Sequence, residues 1–333
     1  MQSEYYNLLF LASFAGSLLA TWILMKRLEF WGLVDKPGAR RIHTSTTPRG
    51  GGIGFVVIMV LGFTIFEYIL TKNFQNSIKI LPIFLLIATI SFIDDLRAVS
   101  IGSRLLVHFI AAVTAIYLFL YPFPLFHHEL PYYVDFILAV LGLVAFLNIY
   151  NFLDGIDGIT AVQSIHLAVT IIALCMIKID AILNANLIIT IALITLAYSI
   201  AFIMFNWHPA KIFLGDVGSI SIGFLLGLCL LMISASGEKL FAACSIASLY
   251  YLADGGITIL IRLTNKEKIW QPHLKHFFQK AVKRGMTHKQ VVCRIAICNF
   301  FLMLLSINAL YNPAISIILA ILTVMITIIN FLK

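Results

Sequence analysis

Eleven apolar runs dominate the chain, near residues 5–25, 51–71, 79–93, 104–121, 134–150, 159–177, 182–205, 217–235, 240–261, 291–310 and 314–331. About 20 apolar residues are needed to cross the hydrocarbon core of a bilayer as a helix. In that solvent the backbone must satisfy its own hydrogen bonds, and a helix does so within one segment. The pattern therefore predicts an all-α polytopic integral membrane protein of about eleven transmembrane helices. Composition agrees: 61% of residues are hydrophobic and 11% are charged. Soluble domains run to about 45–50% and 25%, so a soluble protein with a large core is excluded. The third run is the shortest. No fixed-period repeat and no separate soluble domain interrupts the series, which predicts a single transmembrane domain over 1–333. Its polar-side loops fall near 26–50, 94–103, 148–158, 206–216 and 262–290.

Basic residues set the orientation. With loop 26–50 in the cytoplasm and strict alternation afterwards, all but Lys72, Lys79, Lys178 and Lys239 of the 23 lysines and arginines face the cytoplasm. The positive-inside rule favours that arrangement. It predicts an N-terminus outside, a C-terminus in the cytoplasm and the polar loops at the cytoplasmic face. The same bias accounts for most of the net charge of +8, so nucleic acid is not an expected partner; anionic membrane lipid is. The first run carries its basic pair after it, not before, and reads as a span, not a cleaved leader. The five cysteines (Cys175, Cys229, Cys244, Cys293, Cys298) fall in or beside apolar runs without a CxxC pair. They read as small buried hydrophobes.

Against this background the acidic residues stand out. An aspartate near a bilayer centre costs about 2.5–3.5 kcal/mol on insertion scales. Yet Asp94, Asp95, Asp154, Asp157 and Asp216 gather in three blocks at the ends of apolar runs, and all three blocks fall on the face assigned to the cytoplasm from Lys and Arg alone. Asp94 and Asp95 are adjacent, so their mutual repulsion calls for a cation or a basic partner; a solvated helix end is the plainer alternative. Asn148, Asn151, Asp154 and Asp157 recur every three residues and lie on one broad helical stripe. Four hard oxygen-bearing side chains on one stripe suit Mg²⁺ and a polar ligand. Gly155 and Gly158 leave room for close approach, although Asp-Gly is also a turn dipeptide. Asp216 lies between Gly215 and Gly218 at a helix start, where it either attends an anion or caps the helix.

Three further features complete the set. Thr47-Pro48-Arg49-Gly50-Gly51-Gly52 precedes a helix, and such a loop cradles phosphate through its amides, with Arg49 as a fixed charge. His273 and His276 share a helix face among Lys275, Lys280, Lys283 and Arg284. Two histidines without a cysteine do not make a zinc site, so phosphate or sugar contact fits better. Asp254 lies inside the ninth run and is functional by default, either as a proton relay or as a hydrogen-bonded group facing the bundle. His108 and His166 read as packed histidines.

In order along the chain, the Pro-Arg-Gly-Gly-Gly loop 48–52, Asp94-Asp95, the block 148–158, the segment Lys211–Ser219 and the histidine loop 272–276 resemble the polyprenyl-phosphate N-acetylhexosamine-1-phosphate transferases of glycosyltransferase family 4. The resemblance covers nearly the whole chain and is strongest for the branch that begins O-antigen synthesis. One departure is His273-Leu274-Lys275-His276, where many members carry His-x-His-His; it argues against the muramoyl-pentapeptide branch. The resemblance implies transfer of an N-acetylhexosamine 1-phosphate, or a deoxy amino-sugar relative, from a UDP-sugar to undecaprenyl phosphate. UMP is released in this first membrane step of lipopolysaccharide or other cell-wall polysaccharide synthesis in the bacterial inner membrane. It implies Mg²⁺, with Mn²⁺ as a substitute, and is compatible with a homodimer. Carried over by position, catalytic roles fall to Asp94, Asp95, Asp154, Asp157, Asp216 and His273. Substrate contacts fall to Arg49, Asn148, Asp157, Lys211, Lys275 and His276, and metal ligation to Asn151 and Asp216. Asp157 belongs near the nucleoside and Asp94-Asp95 near the lipid phosphate.

An ion-coupled secondary transporter is the alternative from another class. Transporter sites lie near the midplane in broken helices of paired repeats, whereas these carboxylates collect at one face.

Overall fold

The computed structural model describes residues 2–30, 33–35, 46–122, 124–127, 129–268 and 273–333. Lys36, Arg40 and Arg41 of the first polar loop, and 269–272 of the last, lie outside the described residues. Most of the described residues are helical: α1 (Gln2–Phe30), α2 (Gly52–Thr71), α3 (Gln75–Leu96), α4 (Ile101–Phe119), α5 (Tyr132–Phe152), α6 (Ile159–Ile177), α7 (Ala185–Asn206), α8 (Asp216–Ser234), α9 (Glu238–Ala247), α10 (Leu249–Thr264), α11 (Phe277–Lys283), α12 (His288–Asn308) and α13 (Pro313–Leu332). A two-residue antiparallel ribbon, β1 (Val34–Asp35) with β2 (Thr47–Pro48), and a parallel bridge between Arg49 and Phe213 depart from all-α among the described residues.

Ten of these helices are long and apolar enough to cross a membrane. The run expected as one span at 240–261 is instead broken: α9 and α10 meet at Ser248 with a 69° bend, and together they count as an eleventh crossing. The third run, expected to be short, extends to 22 residues and carries Pro82 inside it.

α8 forms the axis of the bundle. Nearly every residue from Val217 to Ser234 is buried, and α2, α3, α5, α6 and α9 pack around it. Small residues make this approach feasible: a Cβ on Gly223 would lie 2.8 Å from Tyr150, and one on Gly227 2.8 Å from Phe146. α1, α12 and α13 lie outward and expose many apolar side chains, as lipid-facing helices do. Helix ends are tied by acids where amides would otherwise be orphaned. Glu67 accepts hydrogen bonds from Asn76 N–H (2.6 Å) and Ser77 N–H (2.7 Å) at the start of α3. Asp135 accepts from Leu125 N–H (2.8 Å) and Phe126 N–H (2.6 Å). Each such bond replaces water for a helix or loop donor and contributes about 1 kcal/mol.

Candidate active site

The site is framed by two loops laced through their backbones. Phe213 N–H donates to Pro48 C=O (2.8 Å). The amides of Gly50 and Gly51 donate to Phe213 C=O (3.1 and 2.9 Å), and that of Gly52 to Leu214 C=O (2.8 Å). These glycine amides are therefore spent inside the protein and form no phosphate cradle, contrary to the expectation for this loop. The glycines serve close approach instead. A Cβ on Gly52 would lie 2.2 Å from the Gly218 backbone, so α2 and α8 touch only because both positions are bare. Gly50 also takes φ +125°, a value that favours glycine. The lacing fixes Arg49 beside Asp216.

Four carboxylates and two guanidiniums then converge. Both oxygens of Asp95 accept hydrogen bonds from the start of α8, Oδ1 from Asp216 N–H and Oδ2 from Val217 N–H, each at 3.0 Å. Asp95 thus caps the helix on which Asp216 sits. Arg49 Nη2 lies 2.8 Å from Asp95 Oδ1 and 2.7 Å from Asp216 Oδ1. Arg104 pairs with Asp94 Oδ2 and reaches to 3.6 Å from Asp216 Oδ2. The other oxygen of Asp94 accepts from Val99 N–H at 2.8 Å. Asp154 accepts a hydrogen bond from Thr160 Oγ1 (2.5 Å). Burial and the charges of Asp216 and Asp95 push it up to about 7, against the pull of Thr160 and Arg49. Burial alone would lower the Arg49 pKa, but Asp216, Asp95 and Asp154 raise it. With every acid ionised, the four carboxylates exceed the two arginines by two negative charges.

That excess, and an oxygen-rich donor set, fit a hard divalent cation such as Mg²⁺. Asp216 and Asp154 offer carboxylate oxygens, and Asn151 a carboxamide. Asn151 turns its Nδ2 toward Asp216 Oδ1 (3.2 Å) and Ser219 Oγ (2.9 Å). To put its oxygen on a shared ion, that amide has to rotate by half a turn.

The block 148–158 departs from the single helical stripe predicted for it. α5 ends at Phe152, so Asn148 and Asn151 are helical while Asp154 and Asp157 lie in a turn. The two aspartates diverge: Asp154 feels the cluster around Asp216, whereas Asp157 turns toward His208 and His288. Asp157 Oδ2 lies 2.6 Å from His208 Nδ1 and 3.3 Å from His288 Nδ1, and accepts from Ala210 N–H at 3.2 Å. Burial opposes its ionisation, but the contacts with His288, His208 and Ala210 hold its pKa below the usual carboxylate range. Asn148, expected at the substrate, is not brought into the cluster; its Nδ2 bonds Val144 C=O (2.7 Å) on its own helix and faces His108 Nδ1 at 3.4 Å.

The last polar loop docks on this turn. A Cβ on Gly155 would lie 3.0 Å from Phe278 Cζ. His273 is half-buried, its Nδ1 accepts from Lys275 N–H (3.3 Å), and its ring centroid lies 4.8 Å from that of His276. Burial, His276, Arg262 and Lys275 push His273 down to about 4, so it is neutral at physiological pH. His276, also expected at the substrate, is 1% exposed and bonded through Nδ1 to Asp254 Oδ1 at 3.1 Å. Asp254 also accepts from Phe277 N–H (3.0 Å), Phe278 N–H (3.3 Å) and Tyr250 O–H (3.3 Å). Of the two roles open to Asp254, the hydrogen-bonded one matches this geometry. Lys275 pairs with Glu267, which also lies 3.1 Å from Arg262 Nε. Lys211 presents its side chain to solvent while its N–H bonds Phe205 C=O (2.8 Å).

Three residues of this geometry escaped the sequence reading: Arg104, His208 and His288. Arg104 had a usable signal, since it lies in the first turn of the helix following Asp94-Asp95. The two histidines had none, because they meet Asp157 across 51 and 131 residues.

Comparison with known proteins identifies the family. Residues 77–234 match the model of glycosyl transferase family 4. That stretch holds Asp94, Asp95, Asn151, Asp154 and Asp216 but not Arg49 or the histidine loop. A phospho-N-acetylmuramoyl-pentapeptide-transferase of Wolbachia sp. subsp. Drosophila simulans (strain wRi) is 31% identical over 229 residues, covering 63% of this chain and 67% of the relative. The chain belongs to glycosyl transferase family 4. Two further relatives of this family 4 protein extend over more of it. A probable undecaprenyl-phosphate N-acetylglucosaminyl 1-phosphate transferase of Bacillus subtilis (strain 168) is 26% identical, over 87% of the chain and 81% of the relative. A phospho-N-acetylmuramoyl-pentapeptide-transferase of Chlamydia abortus (strain DSM 27085 / S26/3) is 26% identical, over 90% and 92%. Membership in a transferase family leaves the transporter alternative without support.

Proposed function

We propose that this protein transfers an N-acetylhexosamine 1-phosphate from a UDP-sugar to undecaprenyl phosphate at the cytoplasmic face of a bacterial inner membrane. The observation that carries the reading is the Asp94–Asp95–Asp154–Asp216 cluster, whose charge two arginines only half balance. Phosphoryl transfer demands charge neutralisation and in-line placement more than covalent chemistry. A Mg²⁺ held by Asp216, Asp154 and a rotated Asn151 would neutralise charge on the donor diphosphate. The chain's own residues do the rest. Arg49, anchored by the laced loops, offers its guanidinium to diphosphate oxygens. Arg104, between Asp94 and Asp216, is the cation at the acceptor end. Asp94 orients the acceptor and keeps it ionised; little basicity is required, since a phosphomonoester's second pKa is about 6. Asp95 holds the start of α8 and so positions Asp216. An oxygen of the lipid phosphate attacks the phosphorus bonded to the sugar, the bond from that phosphorus to UMP breaks, and UMP leaves with the electron pair.

The donor sugar is the finer question. Similarity to the B. subtilis N-acetylglucosaminyl relative along most of the chain supports a UDP-N-acetylhexosamine. Lys275, where many members have histidine, supports the same choice over a muramoyl-pentapeptide donor. The product then enters an O-antigen or another cell-envelope polysaccharide. The test is UMP release from purified protein with undecaprenyl phosphate, Mg²⁺ and a panel of UDP-N-acetylhexosamines beside UDP-N-acetylmuramoyl-pentapeptide. Turnover with a hexosamine donor is expected; turnover with the pentapeptide donor alone would refute the assignment.

A further inference from the structure

His108, which reads from the sequence as a packed histidine, has no part in the chemistry so far. We propose that it is a second donor to the acceptor phosphate, acting beside Arg104; the inference rests on the transfer reaction proposed above.

Two buried donors on one face of α4 carry it. His108 is 1% exposed, and its Nε2 has no hydrogen-bond partner among the described residues. Arg104 Nε is in the same state. Positions 104 and 108 are one turn apart, so the two side chains share a helix face. Side chains on a helix lean toward its N-terminus. α4 begins at Ile101, so both lean toward the carboxylate cluster, where Arg104 pairs with Asp94.

The helix opposite sets the tautomer. Asn148 Nδ2 donates one hydrogen to Val144 C=O (2.7 Å) and turns the other toward His108 Nδ1 (3.4 Å). That nitrogen therefore presents its lone pair, and the proton of the neutral ring sits on Nε2. The result is a buried N–H aimed at no acceptor, which is costly to keep. The other buried histidine of the apolar helices avoids that cost: His166 Nε2 lies 2.9 Å from Ala247 C=O.

Two neighbouring N–H groups without acceptors suit an anion rich in oxygen, and hydrogen bonds to a charged acceptor are the strong ones. Depth selects the phosphate. His108 lies one turn farther from the start of α4 than Arg104, on a helix whose Leu105, Leu106 and Ile110 are exposed as lipid-facing residues are. The lipid phosphate arrives from that side, whereas the donor diphosphate arrives from water. In the ligand-free protein Arg104 is held on Asp94 and lies 3.6 Å from Asp216 Oδ2. A phosphate entering here draws the guanidinium off the carboxylates, and its oxygens accept from Arg104 Nε and His108 Nε2. No proton moves; a neutral imidazole N–H holds the dianion in place for attack.

The test is binding of undecaprenyl phosphate to the purified full-length protein without any UDP-sugar, by isothermal titration, with undecaprenol as the control that lacks phosphate. Wild type should prefer the phosphate. His108→Phe should weaken undecaprenyl phosphate binding at least about tenfold and leave undecaprenol binding unchanged. Its melting temperature should not fall, because the change removes an unpaired buried donor. His108→Asn, whose amide ends near the place of Nδ1, should bind as weakly as His108→Phe. His108→Gln, which carries an N–H to the place of Nε2, should restore most of the affinity. His166→Phe should do the reverse of His108→Phe, lowering melting temperature and sparing affinity. In UMP release, His108→Phe should raise KM for undecaprenyl phosphate but not for the UDP-sugar. Wild-type affinity in His108→Phe and His108→Asn, an equal loss for undecaprenol, or failure of His108→Gln to rescue would overturn the inference and leave the proposed function standing. A wild-type protein that does not prefer undecaprenyl phosphate to undecaprenol would overturn both.

Discussion

Asp95 and Asp254 are both aspartates embedded in a membrane bundle, and both accept two backbone N–H bonds from the start of a helix, yet their surroundings differ in kind. Asp254 is fully buried, and its two oxygens take up four donors from His276, Phe277, Phe278 and Tyr250. It closes a structural joint between α10 and α11. Asp95 shares its arginine with Asp216 and belongs to a group whose acids outnumber its bases. A carboxylate inside a membrane protein is therefore not diagnostic of function. What marks the reactive end of this bundle is charge left unbalanced.

Substitutions test the contrast. The largest effect is expected for Arg49→Ala, which frees both Asp95 and Asp216. UMP release should fall by about a hundredfold or more with the chain still folded, as checked by size-exclusion chromatography and melting temperature. Asp254→Ala should do the reverse. Stranding several buried donors costs about 2–4 kcal/mol, so melting temperature should drop while turnover of the folded fraction stays within about threefold. Lost turnover at an unchanged melting temperature would erase the distinction between the two aspartates.

A pH measurement sharpens it. Asp154 is raised from the ordinary value to about 7. The folded protein therefore holds its proton where the unfolded chain has released it. The stability this contributes is present below about pH 4 and lost as pH rises to about 7, with no further change from this group above that. The melting temperature of metal-free protein should show this decline, Asp154→Asn should remove it, and Mg²⁺ should flatten it. The smallest effect is expected for Lys275→Ala. Lys275 is itself about half exposed, and such pairs add little to stability; melting temperature should not move, and any change should be confined to KM for the UDP-sugar.

Much of this was legible in the sequence, because membrane insertion writes itself locally. The helix at 159–177 coincides with its apolar run, and most others differ by a few residues at an end. The acidic blocks were legible as an excess, since each acid is costly there. What was not legible depends on long-range contact. Nothing near Asp95 says that it caps a helix 121 residues away, and nothing near Gly52 says that its missing Cβ makes room for Gly218. A period of three suggested a helix through Asp157, but the Asp-Gly turn broke it at Phe152. The reading of His276 as a substrate contact failed similarly, because its partner Asp254 lies on another helix.

The most direct measurement is the Mg²⁺ dependence of UMP release in wild type and Asp216→Asn, with undecaprenyl phosphate and a UDP-N-acetylhexosamine. Wild-type turnover should rise from near zero and saturate with Mg²⁺, while Asp216→Asn should stay inactive at every Mg²⁺ concentration although folded. Near-wild-type turnover in Asp216→Asn, or full wild-type activity in excess chelator, would contradict a metal-assisted transfer centred on the unbalanced carboxylates.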